Sequence, residues 1–212
     1  MFHAGDFEAA VGKGIESADS SGLNAANKAA CIYSVYLEKA EAKQLKIFEE
    51  VAGRCEAEIK RAPKNTNAHY FLAYALGRYA QGISITKALA QGIGGKVKEA
   101  LQQTIKLEPK HADAHIAFGT YHAEIIDKVG AMVGGLTYGA KKEIGVGLFD
   151  QALKLNADSA IARIEYANAL VMMYGKGKMK DAEKLYADAA ACKPVDAMER
   201  LDVELARENL EE

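Results

Sequence analysis

Residues 179–194 read MKDAEKLYADAAACKP, and the spacing within them decides the fold. Ala182, Tyr186 and Ala189 are separated by four and then three residues, so they share one face of a helix, and Pro194 ends it. The same offsets return upstream as Gly145, Phe149, Ala152 and Ala157 in EIGVGLFDQALKLNAD, and as Val97, Leu101, Thr104 and Pro109 in KVKEALQQTIKLEPK. A spacing that recurs along a chain predicts stacked helical hairpins, because no single hairpin can bury its apolar face alone. Repetition of packing geometry points to a binding surface ahead of a catalytic centre.

The partner helix of each hairpin follows. Ten residues after Pro63, Pro109 and Ala157 stand the small residues Ala73, Gly119 and Ala167. Leu72, Phe118 and Tyr166 precede them, and Leu76, His122 and Leu170 follow three positions later. Small residues let two helices approach closely, and the flanking large ones fill the groove beside the contact. The stretches AHYFLAYALGRYA, AHIAFGTYHAEII and AIARIEYANALVMMY are therefore variants of one helix.

Over residues 63–194 the chain resembles the tetratricopeptide repeat superfamily, most closely in YANALVMMYGKGKMKDAEKLYADAAACKP. The resemblance implies an all-α, right-handed α-solenoid of helical hairpins. The usual repeat is about 34 residues, but the steps from Pro63 to Pro109, Ala157 and Pro194 are 46, 48 and 37 residues. The first two units thus carry apolar, Gly-containing insertions, YAQGISITKALAQGIGGK and IIDKVGAMVGGLTYGAKK. That elongated pattern is similar to the regulators of microtubule dynamics and to the T component of certain bacterial tripartite transporters. The expected organisation is one domain: degenerate helices over 1–62, units with insertions over 63–108 and 109–156, a plain unit over 157–193, and a capping helix over 194–212.

The ends support this division. DFEAAVGKGIESA predicts a first helix stopped at Ser20, Ser21 and Gly22, after which no Gly or Pro interrupts residues 23–52. Leu45, Phe48, Val51, Cys55 and Ile59 keep helical spacing, so the region is either a hairpin or one long helix. Pro194 suits the first turn of a final helix whose Met198, Leu201 and Leu205 form a narrow apolar stripe among charges, as a cap requires.

With 27 basic and 29 acidic residues the net charge is −2, so no field draws in nucleic acid. No apolar run approaches the ~20 residues that span a bilayer. MFHAGDFEAAV lacks the charged stretch and apolar core of a leader. The expected setting is cytoplasmic, or periplasmic if a leader preceded Met1. Cys31, Cys55 and Cys192 are widely spaced, without a CxxC pair, and read as small apolar residues at helix contacts.

Little in the sequence points to chemistry. Gly92, Gly94, Gly95 and Lys96 suggest a phosphate loop, but Ala90 stands where the earlier glycine belongs and Val97 follows the lysine. His111 and His115 form an i, i+4 pair able to hold a transition metal if the helix begins by His111, but His122 lies about 10 Å further along, too far to complete the site. His69 matches His115 in the repeat, which favours packing. No catalytic constellation and no cofactor are expected, and the chain reads as a non-enzyme.

What remains is the groove that first helices line in the resembled superfamily. The register selects Asn67, Tyr70, Tyr74 and Arg78 in one unit, Asp113, Ile116, Thr120 and Glu124 in the next, and Ile161, Ile164, Asn168 and Met172 in the third. Tyr70, Tyr74 and Arg78 are four apart and suit interface anchors or packing against an insertion. The Lys and Asn set with which some superfamily members clamp a C-terminal carboxylate is absent, since Tyr70, Ile161 and Ile164 stand there. The expected function is binding of a protein or peptide segment in the groove. The alternative is a carrier or transport-accessory protein holding a small hydrophobic ligand behind the two insertions.

Overall fold

The computed structural model describes residues 1–211, and the side chains of 1–210. Every regular element among the described residues is helical, and the chain divides into two compact units, Met1–Pro109 and Lys110–Glu212.

The first unit contains α1 (Phe7–Glu16), α2 (Ser20–Ile32), α3 (Glu41–Arg61), α4 (Thr66–Gln81), α5 (Ile85–Ala90) and α6 (Ile93–Leu107). Helices α1 and α2 form a tight hairpin in which a Cβ on Gly14 would lie 2.4 Å from the Gly22 carbonyl oxygen. Only bare backbone permits that approach. The long-helix alternative for this region fails. Helix α2 passes into one π-helical turn, Tyr33–Leu37, and the chain becomes extended at Glu38 (φ −76°, ψ 127°). No Gly or Pro makes this break. The Glu38 side chain accepts from the Ala40 amide at 2.9 Å, and Gln44 Nε2 donates to the Glu38 carbonyl at 2.7 Å. Side-chain partners thus satisfy groups that a continuing helix would have used.

Helix α4 packs on both α3 and α6, and a polar cluster fixes its start. Asn65 caps α4 by accepting from the Ala68 amide at 3.3 Å, and it exchanges hydrogen bonds with Asn24 of α2 at 3.0 and 3.3 Å. Its Nδ2 also donates to the buried Glu58 carboxylate at 2.9 Å. Three helices therefore meet at one side chain.

The second unit contains α7 (Ala112–Val129), α8 (Ala131–Tyr138), α9 (Lys142–Leu155), α10 (Ala160–Tyr174), α11 (Met179–Ala190) and α12 (Ala197–Glu211). Helix α7 packs chiefly on α9 and α10, and α10 on α11. Phe149 of α9 is fully buried, its ring stacked on Tyr166 at 4.9 Å between centroids and 6° between planes. Ala189 of α11, also fully buried, packs with Ala160, Ile164, Val203 and Ala206. Ala189→Phe is therefore expected to destabilise by about 1–3 kcal/mol through overpacking, checked by thermal unfolding. Helix α12 begins later than Pro194 predicts: Asp196 caps it by accepting from the Glu199 amide at 2.9 Å, and Pro194 stays outside.

The repeat shows in the backbone of the helix ends. Asn65, His111 and Ser159 cap the first helices with φ of −72°, −72° and −70°, each accepting from the amide three residues on. The preceding helices close at Ala62, Glu108 and Asn156 with φ of −135°, −138° and −139°. A proline follows Ala62 and Glu108 and disfavours a helical residue there. Asn156 takes the same conformation before Ala157, so the local geometry does not depend on the proline.

Both insertions form short helices, but they do not hide their apolar content. Met132 and Leu136 of α8 are 77% and 85% exposed, and Ile85 and Leu89 of α5 are about half exposed. Helix α8 seats on α7 through bare backbone: a Cβ on Gly134 would meet Ile125 Cγ2 at 3.0 Å. A helix of eight residues that spends a glycine on its contact face leaves its large side chains to water.

Candidate functional site

Three places could hold a partner: the first-helix face of the first unit, that of the second unit, and a cleft within the second unit. On α4 the spacing brings Tyr70, Tyr74 and Arg78 together as a ladder. The Tyr70 and Tyr74 rings lie 6.1 Å apart, and the Arg78 guanidinium sits 5.3 Å over the Tyr74 ring. Arg78 also donates to Gln81 at 3.3 Å. The members differ in access. Asn67 is exposed and Tyr74 and Arg78 are half-buried, whereas Tyr70 is only 8% exposed and meets Phe71 edge-on at 5.0 Å. Tyr70 thus backs the ladder, and Tyr74 and Arg78 present it. The first insertion reaches α4 through Lys87, which lies 5.4 Å over Tyr79, a position 100° round the helix from Arg78.

On α7 and α10 the register-selected residues serve packing more than display. Asp113 is exposed in the first turn of α7, where its charge suits the helix dipole. Thr120 ties α7 to α10 by donating to Glu165 at 3.2 Å, and Glu124 pairs with Lys128 at 3.0 Å. Asn168 accepts from the Tyr186 hydroxyl of α11 at 2.5 Å. Burial, and then the Glu165 charge, push the Tyr186 hydroxyl above the ordinary tyrosine value, so it remains a donor. Ile116 and Ile164 are buried, and Ile161 and Met172 pack against the core of this unit.

The histidines take structural places. The helix begins at Ala112, so His111 lies before it, and its Nδ1 accepts from the Ala114 amide at 3.2 Å. The i, i+4 spacing of His111 and His115 therefore does not lie within one helix. His115 and His122 are buried, and His122 Nδ1 accepts from the Lys141 amide at 3.0 Å. His69 bonds the Pro63 carbonyl at 2.9 Å. Among the described residues no three His, Cys, Asp or Glu side chains gather as metal ligands. Cys31 and Cys55 are buried, and burial raises both thiols, Cys55 to about 12, so neither supplies a thiolate at neutral pH.

Sequence reasoning missed a cleft of about 460 Å³ in the second unit. Its floor is a row on α10, Tyr166, Leu170 and Tyr174, and its walls include Val146 of α9 and Leu185 of α11. Charged side chains edge it: Lys178 and Asp181, paired at 2.6 Å, with Lys184 and Asp188 beyond. Burial, and next the Asp150 carboxylate, raise the Tyr166 hydroxyl to about 12. The i, i+4, i+8 row and the charges beside it were visible as spacing, but such spacing equally describes a core stripe and a solvated face.

Among the described residues no helix is long and apolar enough to cross a membrane. The fold is similar to that of a thermophilic TPR protein from Thermus thermophilus, at 16% identity and a TM-score of 0.56, covering 95% of this chain and 98% of that one. No curated protein matches the chain significantly. The family model described as regulator of microtubule dynamics protein 1-3 matches residues 13–128, more than half of the sequence, and the chain belongs to that family.

Proposed function

We propose that this chain is a non-enzymatic scaffold that binds a protein or peptide segment, with the Tyr74–Arg78 ladder of α4 as an anchor. The carrying observation is the guanidinium 5.3 Å over a half-buried tyrosine ring, backed by buried Tyr70. A rigid aromatic ring with a charged, planar neighbour offers apolar area and directed hydrogen bonds at small entropic cost, the combination that dominates contact centres. The TPR-like fold supports the reading, since it presents helix faces.

The test begins with mass spectrometry of proteins and small molecules that co-purify, then compares Tyr74→Ala and Arg78→Ala for binding and melting temperature. Each truncation is expected to weaken binding by about 2 kcal/mol or more, roughly thirtyfold, with melting little changed. Loss of stability with undiminished binding per folded molecule would assign the ladder to packing. Recovery of a small apolar ligand in place of a protein would favour the carrier.

A further inference from the structure

We infer that His122 is an acid-sensitive latch: it ties the second insertion to α7 while its ring is neutral, and it releases residues 130–141 when the ring takes a proton. The same register position holds leucine in the other two units, Leu76 and Leu170, so packing between helices does not call for an imidazole there. What the imidazole adds is a hydrogen bond. Its Nδ1 lies 3.0 Å from the amide of Lys141, the residue at which the insertion ends and α9 begins. A backbone amide only donates, so Nδ1 is the acceptor and the proton of the neutral ring sits on Nε2. No side chain caps α9, so this bond holds the point where the chain returns from the insertion.

Protonation reverses the sign of that contact. Both nitrogens of an imidazolium donate, so two N–H groups would face each other across 3.0 Å and the Lys141 amide would lose its acceptor. The ring has little room to turn away. It is buried against Phe118 at 5.0 Å and Tyr121, met edge-on at 5.6 Å, and α9 passes so close that a Cβ on Gly145 would lie 3.2 Å from His122 Cβ. Lys141 is exposed, and the segment before it is lightly held: α8 seats on α7 through Gly134 and leaves Met132 and Leu136 to water. The insertion therefore moves while the core stays, since segments with few buried contacts open first. The ionisable groups around the ring are Tyr121, Tyr138 of α8 beside it, Lys141, Lys142 and Glu143 at the start of α9, and Glu165 of α10, which Thr120 holds two residues before His122. Of these side-chain types and histidine, only histidine ordinarily changes charge between about pH 7.5 and 5.

Amide hydrogen exchange of the full chain, corrected for the intrinsic effect of pH, reads the latch. A helix of eight residues does not persist once detached from its seat, so the amides of Gly139 and Ala140, bonded to the carbonyls of Gly135 and Gly134, report the release together with Lys141. Their protection is expected to fall about tenfold or more between about pH 7.5 and 5, in step with protonation of the His122 ring. Leu101 of α6 and Leu170 of α10, both buried, should keep theirs. His122→Asn sets an oxygen where Nδ1 stood and takes no proton, so it should hold protection at both pH values. His122→Leu, the residue of the other units, should leave the Lys141 amide exchanging fast at both. A fall with pH that persists in either variant, native protection that stays level over this range, or a fall that Leu170 shares would each overturn the inference.

Discussion

Replacing Phe149 by alanine is expected to cost about 3–5 kcal/mol, the range for deleting a buried ring. At about 2–4 °C per kcal/mol for a chain of this size, the melting temperature should fall by roughly 6–20 °C. Phe149 has no exposed surface, stacks on Tyr166, and fills the space that the absent side chain of Gly119 leaves. A Cβ on Gly119 would lie 2.7 Å from Phe149 Cε2 and 2.9 Å from Cδ2 and Cζ, so ring and glycine are one packing decision. Gly119→Leu should accordingly destabilise by overpacking, about 1–3 kcal/mol. The two changes should offset each other when combined, leaving the double variant more stable than the sum of the single losses by about 0.5 kcal/mol or more. Thermal unfolding followed by circular dichroism reads all three. Simple additivity would show that the contact does not organise the unit.

That pairing also shows why the fold was legible in the sequence. Gly119 and Phe149 stand at the small and large positions of two adjacent helices, and the demand that one leave room for the other imposes a spacing that survives in the chain. The matching caps at Asn65, His111 and Ser159 come from the same constraint. Elements held by chemistry without periodicity were not legible. The break at Glu38 uses a glutamate and a glutamine, residues that ordinarily continue a helix, and only their hydrogen bonds reveal the stop. The insertions differ again: both are apolar and both form short helices, yet Met132 and Leu136 stay exposed. On the candidate site, spacing identified the ladder but not its depth. Tyr70, Tyr74 and Arg78 share a row, yet how far each is covered depends on neighbouring helices that a single helix face does not specify.

Glu58→Ala should destabilise by about 2–4 kcal/mol, because it removes a buried acceptor that several donors share. Glu58 is 2% exposed, yet its oxygens accept from Ser20 Oγ at 2.5 Å, Asn65 Nδ2 at 2.9 Å and Arg61 Nε at 2.8 Å, and Arg61 Nη2 lies 2.7 Å away. These donors belong to α2, the α4 cap and α3, so the carboxylate joins three elements of the first unit. Arg61 stays half exposed and can return to water when the acid is lost, but Ser20 and Asn65 have other tasks in the same cluster and less freedom to turn. The Ser20 hydroxyl first, then Asn65 and Arg61, hold the acid below its ordinary value, against burial that pushes it up. A carboxyl depressed in the folded state contributes its full stability above its unfolded value, about 4.3, and loses it as pH falls through the folded value. The gap in melting temperature between the native chain and Glu58→Gln should therefore be widest above about pH 5 and narrow below about pH 4. A gap that stays constant from neutral to acid pH would mean that the charge on Glu58 contributes nothing and that only the shape of its side chain holds the three helices together.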